Sequence, residues 1–211
     1  MKNVSVENTQ KIRRTGLASA NALGKKLSMF VIGKAKSPRF FKNVKHLPCR
    51  YRSQKKSWMD GTLFEERVSE TDRQLTKERL KIVLLVDNCP AHPIIDNLES
   101  IELIFLPSNT TSKLQPMDQG VNRSLNAHYR TLSVQKLINA KEKKKPLPEI
   151  TIMDAMQMLD VAWGKVKTET ICNCFALAGI SEKMCFDASV DVDDPFEDLK
   201  DQLEKLAVHS S

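Results

Sequence analysis

The residues best placed to do chemistry lie in KIVLLVDNCPAH, residues 81 to 92, where an apolar β-type run ends on Asp87 and is followed by Asn88, a proline and His92. A carboxylate at the tip of a buried strand is costly to desolvate, so metal binding or catalysis is the usual reason to keep one there. A second acid, Asp118 in LQPMDQG, follows another β-type run at the predicted start of a helix. Two carboxylates on rigid elements can share divalent ions about 4 Å apart, which activate a nucleophile and stabilise a leaving oxygen in phosphoryl chemistry. Hard oxygen ligands select Mg²⁺ or Mn²⁺. By itself, a pair of aspartates this far apart in sequence is a weak signal. His92 reads equally well as a helix-start residue at a surface turn, and Asn88 as a turn former.

The elements that would position these acids follow from periodicity. Residues 16 to 23 and 27 to 33 read as two short strands around Gly24 and two lysines, a hairpin-like arrangement. Lys34 to Lys56, with Pro38 and Pro48 inside it, reads as a basic loop. Ser57 is a candidate cap for a helix to about Glu78, on which Phe64, Val68, Thr71 and Leu75 share a face. KIVLLVD then reads as the inner strand of a partly parallel sheet covered by helices, because it is apolar on both faces. Residues 92 to 98 are a possible helix, and IELIFLP, from residue 101, is the next strand. A strand, a crossover and a strand predict a parallel pair. After the polar turn SNTTSKLQP, a helix from about Met117 to Lys141 carries Val121, Leu125, Tyr129 and Leu132 on one stripe. A second helix, within residues 151 to 166, aligns Ile152, Met156, Leu159, Trp163 and Val166. A last one, Thr168 to Ala178, ends at Gly179.

Composition narrows the class. The 211 residues suffice for one domain with a substantial core, and the formal net charge of +7 favours polyanionic partners. Lys25, Lys26, Lys34, Lys36, Arg39, Lys42, Lys45, Arg50, Arg52, Lys55 and Lys56 make residues 25 to 56 a basic block without an acid, suited to salt-sensitive contacts with DNA or RNA phosphates or to a solvated face. From Asp187 onward acids dominate. There Phe196, Leu199, Leu203 and Leu206 fit a short amphipathic helix, either a solvated terminus or a docking segment for a protein partner. No run of about 18 apolar residues is present, and residues 1 to 10 hold no apolar block of the secretory type, so an intracellular protein is expected. The five cysteines form no C-x-x-C pair and read as ordinary thiols rather than disulfide or zinc ligands.

VDNCPAHP, FLPSNTTSKLQPMDQGV and AHYR resemble the second and third catalytic blocks of the DDE superfamily endonuclease domain of the pogo/Tigger transposases and their jerky and centromere protein B relatives. VIGKAKSPRFFKNVK and the LFEE segment resemble the parts before those blocks, and DAMQMLDVAWGKVKTETICNCFALAGI the helical end, so the resemblance runs from about Leu17 to Ile180. It implies an α/β, RNase H-like fold, here incomplete: a mixed sheet flanked by helices, with a helical C-terminal extension. The implied division is a junction segment at 1–15, a truncated endonuclease-like domain at 16–145, the helical extension at 146–182 and an acidic tail at 183–211. The resemblance also implies Asp87 and Asp118 as catalytic, metal-binding acids, with Asn88 and His92 as motif neighbours, and Mg²⁺ or Mn²⁺ as the ions.

Departures from the pattern shape the expected function. The family's first catalytic aspartate lies on a strand ahead of the hairpin, whereas before Asp60 this chain has only Glu7. The central strand and its ligand are therefore expected to be missing, and efficient cleavage with them. Arg67 stands where the family has an aromatic residue, and a core-facing arginine costs stability unless its head finds solvent. Nothing resembles the family's helix-turn-helix regions, so low sequence specificity is expected. A nuclear DNA-binding protein is the leading expectation, with KEKKKP, residues 141 to 146, as a localisation signal or a solvated loop. A residual metal-dependent endonuclease and a protein-interaction module using the acidic tail are the rivals.

Overall fold

The computed structural model describes residues 14–182 except 109, 145 and 147. Glu7, Cys185 and the acidic tail with its amphipathic stretch lie outside the described residues. The strands form two separate sheets rather than one. β1 (Thr15–Leu17), β2 (Phe30–Gly33) and β3 (Arg50–Ser53) make a mixed sheet, with β1 antiparallel and β3 parallel to β2. β4 (Ile82–Val86) and β5 (Ile101–Phe105) make a two-stranded parallel sheet, as the strand, crossover, strand pattern predicts.

The predicted hairpin pairs in the expected sense, but its strands are shorter. Beyond Leu17 only the bridge between Ala20 and Lys26 continues the pairing. Its tip is fastened by Asn21, whose Oδ1 accepts from the amides of Leu23 and Lys25. Gly24 sits there at φ +79°, and a Cβ would lie 2.4 Å from Thr168 Cγ2, so conformation and space both demand glycine.

Residues 34 to 56 are not simply a loop. They contain a 3₁₀ turn at Arg39–Phe41 and the whole of β3. The strand was hidden because Arg50, Tyr51 and Arg52 lack an apolar alternation, and the two arginines are matched instead by carboxylates on the next helix. That helix, α1 (Gly61–Glu78), is capped by Asp60 rather than Ser57. Asp60 accepts from Leu63 N at 3.0 Å, while Ser57 sits buried at φ +55°.

Three apolar clusters organise the packing. Met29, just before β2, and Val31 on it face α3 (Asn122–Glu142), α4 (Ile152–Lys165) and α5 (Thr168–Leu177), whereas Phe30 and Ile32 face Leu63 of α1. This is the period of two expected of a strand buried on both sides. The predicted stripes on α3 and α4 all join the larger cluster. A capping box between Thr151 and Asp154 starts α4, and Gly179 at φ +71° follows α5 as its sequence position predicts.

Phe64 and Val68 of α1 pack on the other sheet, against Val86 and Ile101. That sheet corrects the expectation of an inner strand covered on both faces. Among the described residues β4 has a neighbour on one side only, and Val83 and Ile104, on the face away from α1, are 52% and 41% exposed. The connection between β4 and β5 contains no helix, with Asn97 at φ 64°, so the possible helix at 92–98 does not form. SNTTSKLQP, read as a turn, holds the short helix α2 (Thr111–Leu114).

One polar clip secures this arrangement. Asp72 of α1 is 6% exposed, and its carboxylate accepts from the amides of Glu99 at 3.2 Å, Ser100 at 2.8 Å and Ile101 at 3.0 Å. It thereby satisfies the donors at the start of β5, which would otherwise be buried without partners. Asp72→Ala should lower the unfolding free energy by about 3 kcal/mol, since it strands several buried amides at once, as measured by urea denaturation. A loss under about 0.5 kcal/mol would contradict the clip.

Among the described cysteines, Cys49, Cys172 and Cys174 are buried free thiols and Cys89 is half-buried. Burial, and secondarily the charge of Asp160, push the Cys49 thiol up to about 12 from 9.0. The folded state thus keeps a proton that the unfolded chain releases near 9.0, so this group's contribution is fully present below that pH and is lost as pH rises towards 12. Urea midpoints between pH 8 and 10.5 should fall more for the native protein than for Cys49→Ala; parallel pH profiles would count against it.

Candidate functional site

The first acid is held by a double turn. After β4 the amide of Cys89 donates to Asp87 O at 2.9 Å, and the amide of His92 to Cys89 O at 2.8 Å, which folds DNCPAH back on itself. His92 Nδ1 therefore comes within 2.7 Å of Asp87 Oδ1 and 3.2 Å of its backbone oxygen. The imidazole lies 4.4 Å, centroid to centroid, from the ring of Phe64, so α1 fixes its orientation. His92 is thus neither a helix-start residue nor a free surface side chain. Asn88 turns the other way, and its Nδ2 donates to Ser108 Oγ at 3.3 Å, joining the loops that leave the carboxyl ends of the two parallel strands. Those ends are where ligands bind in sheets of this type.

Asp118 lies in a π-helical turn, Met117–Val121, that leads directly into α3. Its amide donates to Gln115 O, and its exposed carboxylate accepts from Asn122 Nδ2 at 2.8 Å. Insertions of this kind are common at functional sites. Gly120 permits the turn for want of space: a Cβ there would sit 3.1 Å from Cys174 Sγ on α5. Asp118 shares no hydrogen bond with Asp87, Asn88 or His92. Among the described residues no group of three or more His, Cys, Asp or Glu side chains is gathered to hold a metal ion. The donor set therefore does not complete a cage for Mg²⁺ or Mn²⁺, and each acid is engaged by a partner within its own turn.

The basic block divides into two kinds of side chain. Lys26 is structural: its Nζ donates to the carbonyls of Trp163, Gly164 and Val166 at 2.7, 3.0 and 2.6 Å. A cation there complements the C-terminal end of the α4 dipole. It also lies 5.4 Å from the Trp163 ring, and burial lowers its pKa. Arg50 pairs with Glu70 at 2.7 Å, and Arg52 with Glu66 at 2.6 Å and Glu70 at 3.0 Å. The Glu66 bond is the main reason that the Arg52 pKa rises. Lys25, Lys34, Lys36, Arg39, Lys42, Lys45, Lys55 and Lys56 are exposed, and none forms a salt bridge with a described residue.

Two features escaped sequence reasoning. The Asp87–His92 pair needed the double turn to be seen. Glu66, Glu70, Arg73 and Lys77 recur at intervals of four, three and four, a charged stripe that the apolar face of the same helix overshadowed.

The family model described as "DDE superfamily endonuclease" matches residues 11–175. Tigger transposable element-derived protein 4 of Mus musculus is 37% identical over 154 residues, covering 73% of this chain and 30% of that protein. Jerky protein homolog of Homo sapiens is 37% identical over 131 residues, covering 56% of this chain and 24% of its own length. ARS-binding protein 1 of Schizosaccharomyces pombe is 32% identical over 185 residues, covering 81% and 35% respectively. The chain thus spans a third or less of the first two relatives' length. No solved structure matches. The double turn that carries Asp87 and the turn that carries Asp118 both fall within the matched span, and the chain belongs to the DDE superfamily endonuclease family, in its pogo/Tigger group.

Proposed function

We propose that this chain is a transposase-derived nuclear DNA-binding domain on an RNase H-like framework, which grips phosphate backbones with little sequence preference and does not cut them efficiently. The observation that carries the reading is the set of eight exposed cations between Lys25 and Lys56 that form no salt bridge with a described residue, presented beside a sheet rather than along a featureless loop. Such cations release counterions from the nucleic acid on binding, which supplies affinity without base readout. Similarity over most of the chain to a relative named as ARS-binding supports the same partner. Among the described residues no helix is long and apolar enough to cross a membrane.

The rival reading, a residual endonuclease using Asp87 and Asp118, draws on the placement of Asp87 at the carboxyl end of a parallel strand. Bound Mg²⁺ or Mn²⁺ would supply charge neutralisation at the phosphate, but the described side chains provide two separately engaged acids and no third donor. Efficient phosphoryl transfer does not follow from that set.

Fluorescence anisotropy with a duplex of arbitrary sequence should show binding whose log affinity falls steeply and linearly with log salt. Neutralising Lys34, Lys36, Arg39, Lys42 and Lys45 together should weaken it by about 10-fold or more at low salt. Affinity no better than that of a neutral control protein would end this reading. In a supercoiled-plasmid nicking assay with Mn²⁺, the native protein and Asp87→Ala should be indistinguishable; nicking that disappears in Asp87→Ala would instead establish the endonuclease.

A further inference from the structure

We infer that a groove between β3 and α1 is a second phosphate-binding track, in which Arg73 and Lys77, outside the basic block, join Arg50 and Arg52. The inference rests on the nucleic-acid reading above and names where on the surface the backbone lies. The groove has a volume of about 520 Å³ and is open to solvent, with these four cations in its lining against a single carboxylate, Glu70.

Its construction separates pinned charges from available ones. Arg50 and Arg52 stand two apart on the outer strand of the mixed sheet, so both reach the same face and meet α1. Glu66 and Glu70, on the first turns of the helical stripe, hold those guanidinium groups in fixed orientations: Arg52 engages Glu66, Tyr51 O and Glu70 through Nε, Nη1 and Nη2, Arg50 binds Glu70 through Nη1, and both side chains stay about 40% exposed along the groove. Further along the stripe, Arg73 is exposed and its Nε donates to Ser69 O at 3.2 Å, while Lys77 is exposed; neither forms a salt bridge with a described residue. Guanidinium forks suit phosphate oxygens in pairs, and an open groove suits an extended polyanion better than a small enclosed anion. Fixed arginines at one wall and free cations at the other make a track that can follow consecutive phosphates.

The test compares Arg73→Gln/Lys77→Gln with the native protein in duplex-DNA anisotropy across a KCl series, alongside thermal melts by circular dichroism. Both substituted side chains are exposed, so the melt should be unchanged. Affinity at low salt should drop about 10-fold, and the slope of log affinity against log salt should become shallower by about 2, the value for two phosphate contacts. Native-like affinity and slope in this variant, with the native protein still binding, would remove the groove while leaving the basic block as the interface. A native protein that does not bind DNA at all would sink both, and sodium phosphate competing at equimolar ionic strength better than sodium chloride would point to small-anion binding and overturn the extended track.

Discussion

Helix α1 is the constraint on which the arrangement depends, because one helix has to satisfy two sheets. Adjacent residues project about 100° apart around a helix, so Leu63 reaches the mixed sheet through Phe30 and Ile32, while Phe64 reaches Val86 and Ile101 of the parallel pair. Met59, just ahead of the helix, packs into both clusters, and Thr15 Oγ1 donates to Ser57 O at 2.7 Å across the same junction. At the other end Asp72 fastens the helix to the start of β5. The acid turn on β4 and the cationic strand β3 therefore take their relative placement from the same helix.

That dual duty explains how Arg67 is accommodated. Its guanidinium lies 5.7 Å from the Phe30 ring, where cation–π attraction offsets part of the desolvation. Burial, together with the neighbouring Arg50, pushes its pKa below the usual arginine value, and Glu70 acts in the opposite direction. The desolvation cost of this charge is softened by the Phe30 ring on β2.

Charge is apportioned between architecture and surface. Lys26 caps a helix end, Arg50 and Arg52 knit β3 to α1, and Lys136 pairs with the Asp154 of the capping box. Burial would raise the Asp154 carboxyl, but the bonds from Lys136 and Thr151 outweigh it and hold the pKa below the usual carboxylate value. Side chains with such partners lose part of their counterion-releasing capacity, so a sum of lysines and arginines overstates the cationic surface. The basic-block cations without such partners lie in the turns around β2 and β3, and Arg73 and Lys77 on the last turns of α1.

Local pattern was enough to determine much of this molecule: the apolar stripes of α1, α3 and α4, the parallel pairing of β4 with β5, the hairpin sense of β1 and β2, and the family. Each depends on neighbours within a few residues or on a motif spelled out in the chain. Tertiary structure alone decided that the sheet is split, that an arginine-rich segment is a strand, that Asp60 and not Ser57 caps α1, and that His92 closes on Asp87. Those outcomes turn on partners far away in sequence: carboxylates that make Arg50 and Arg52 acceptable in a strand, a helix that covers one face of β4 and leaves Val83 open, and a ring of Phe64 that receives an imidazole. Periodicity records which side of an element is apolar, and it carries no information about which distant group will face it.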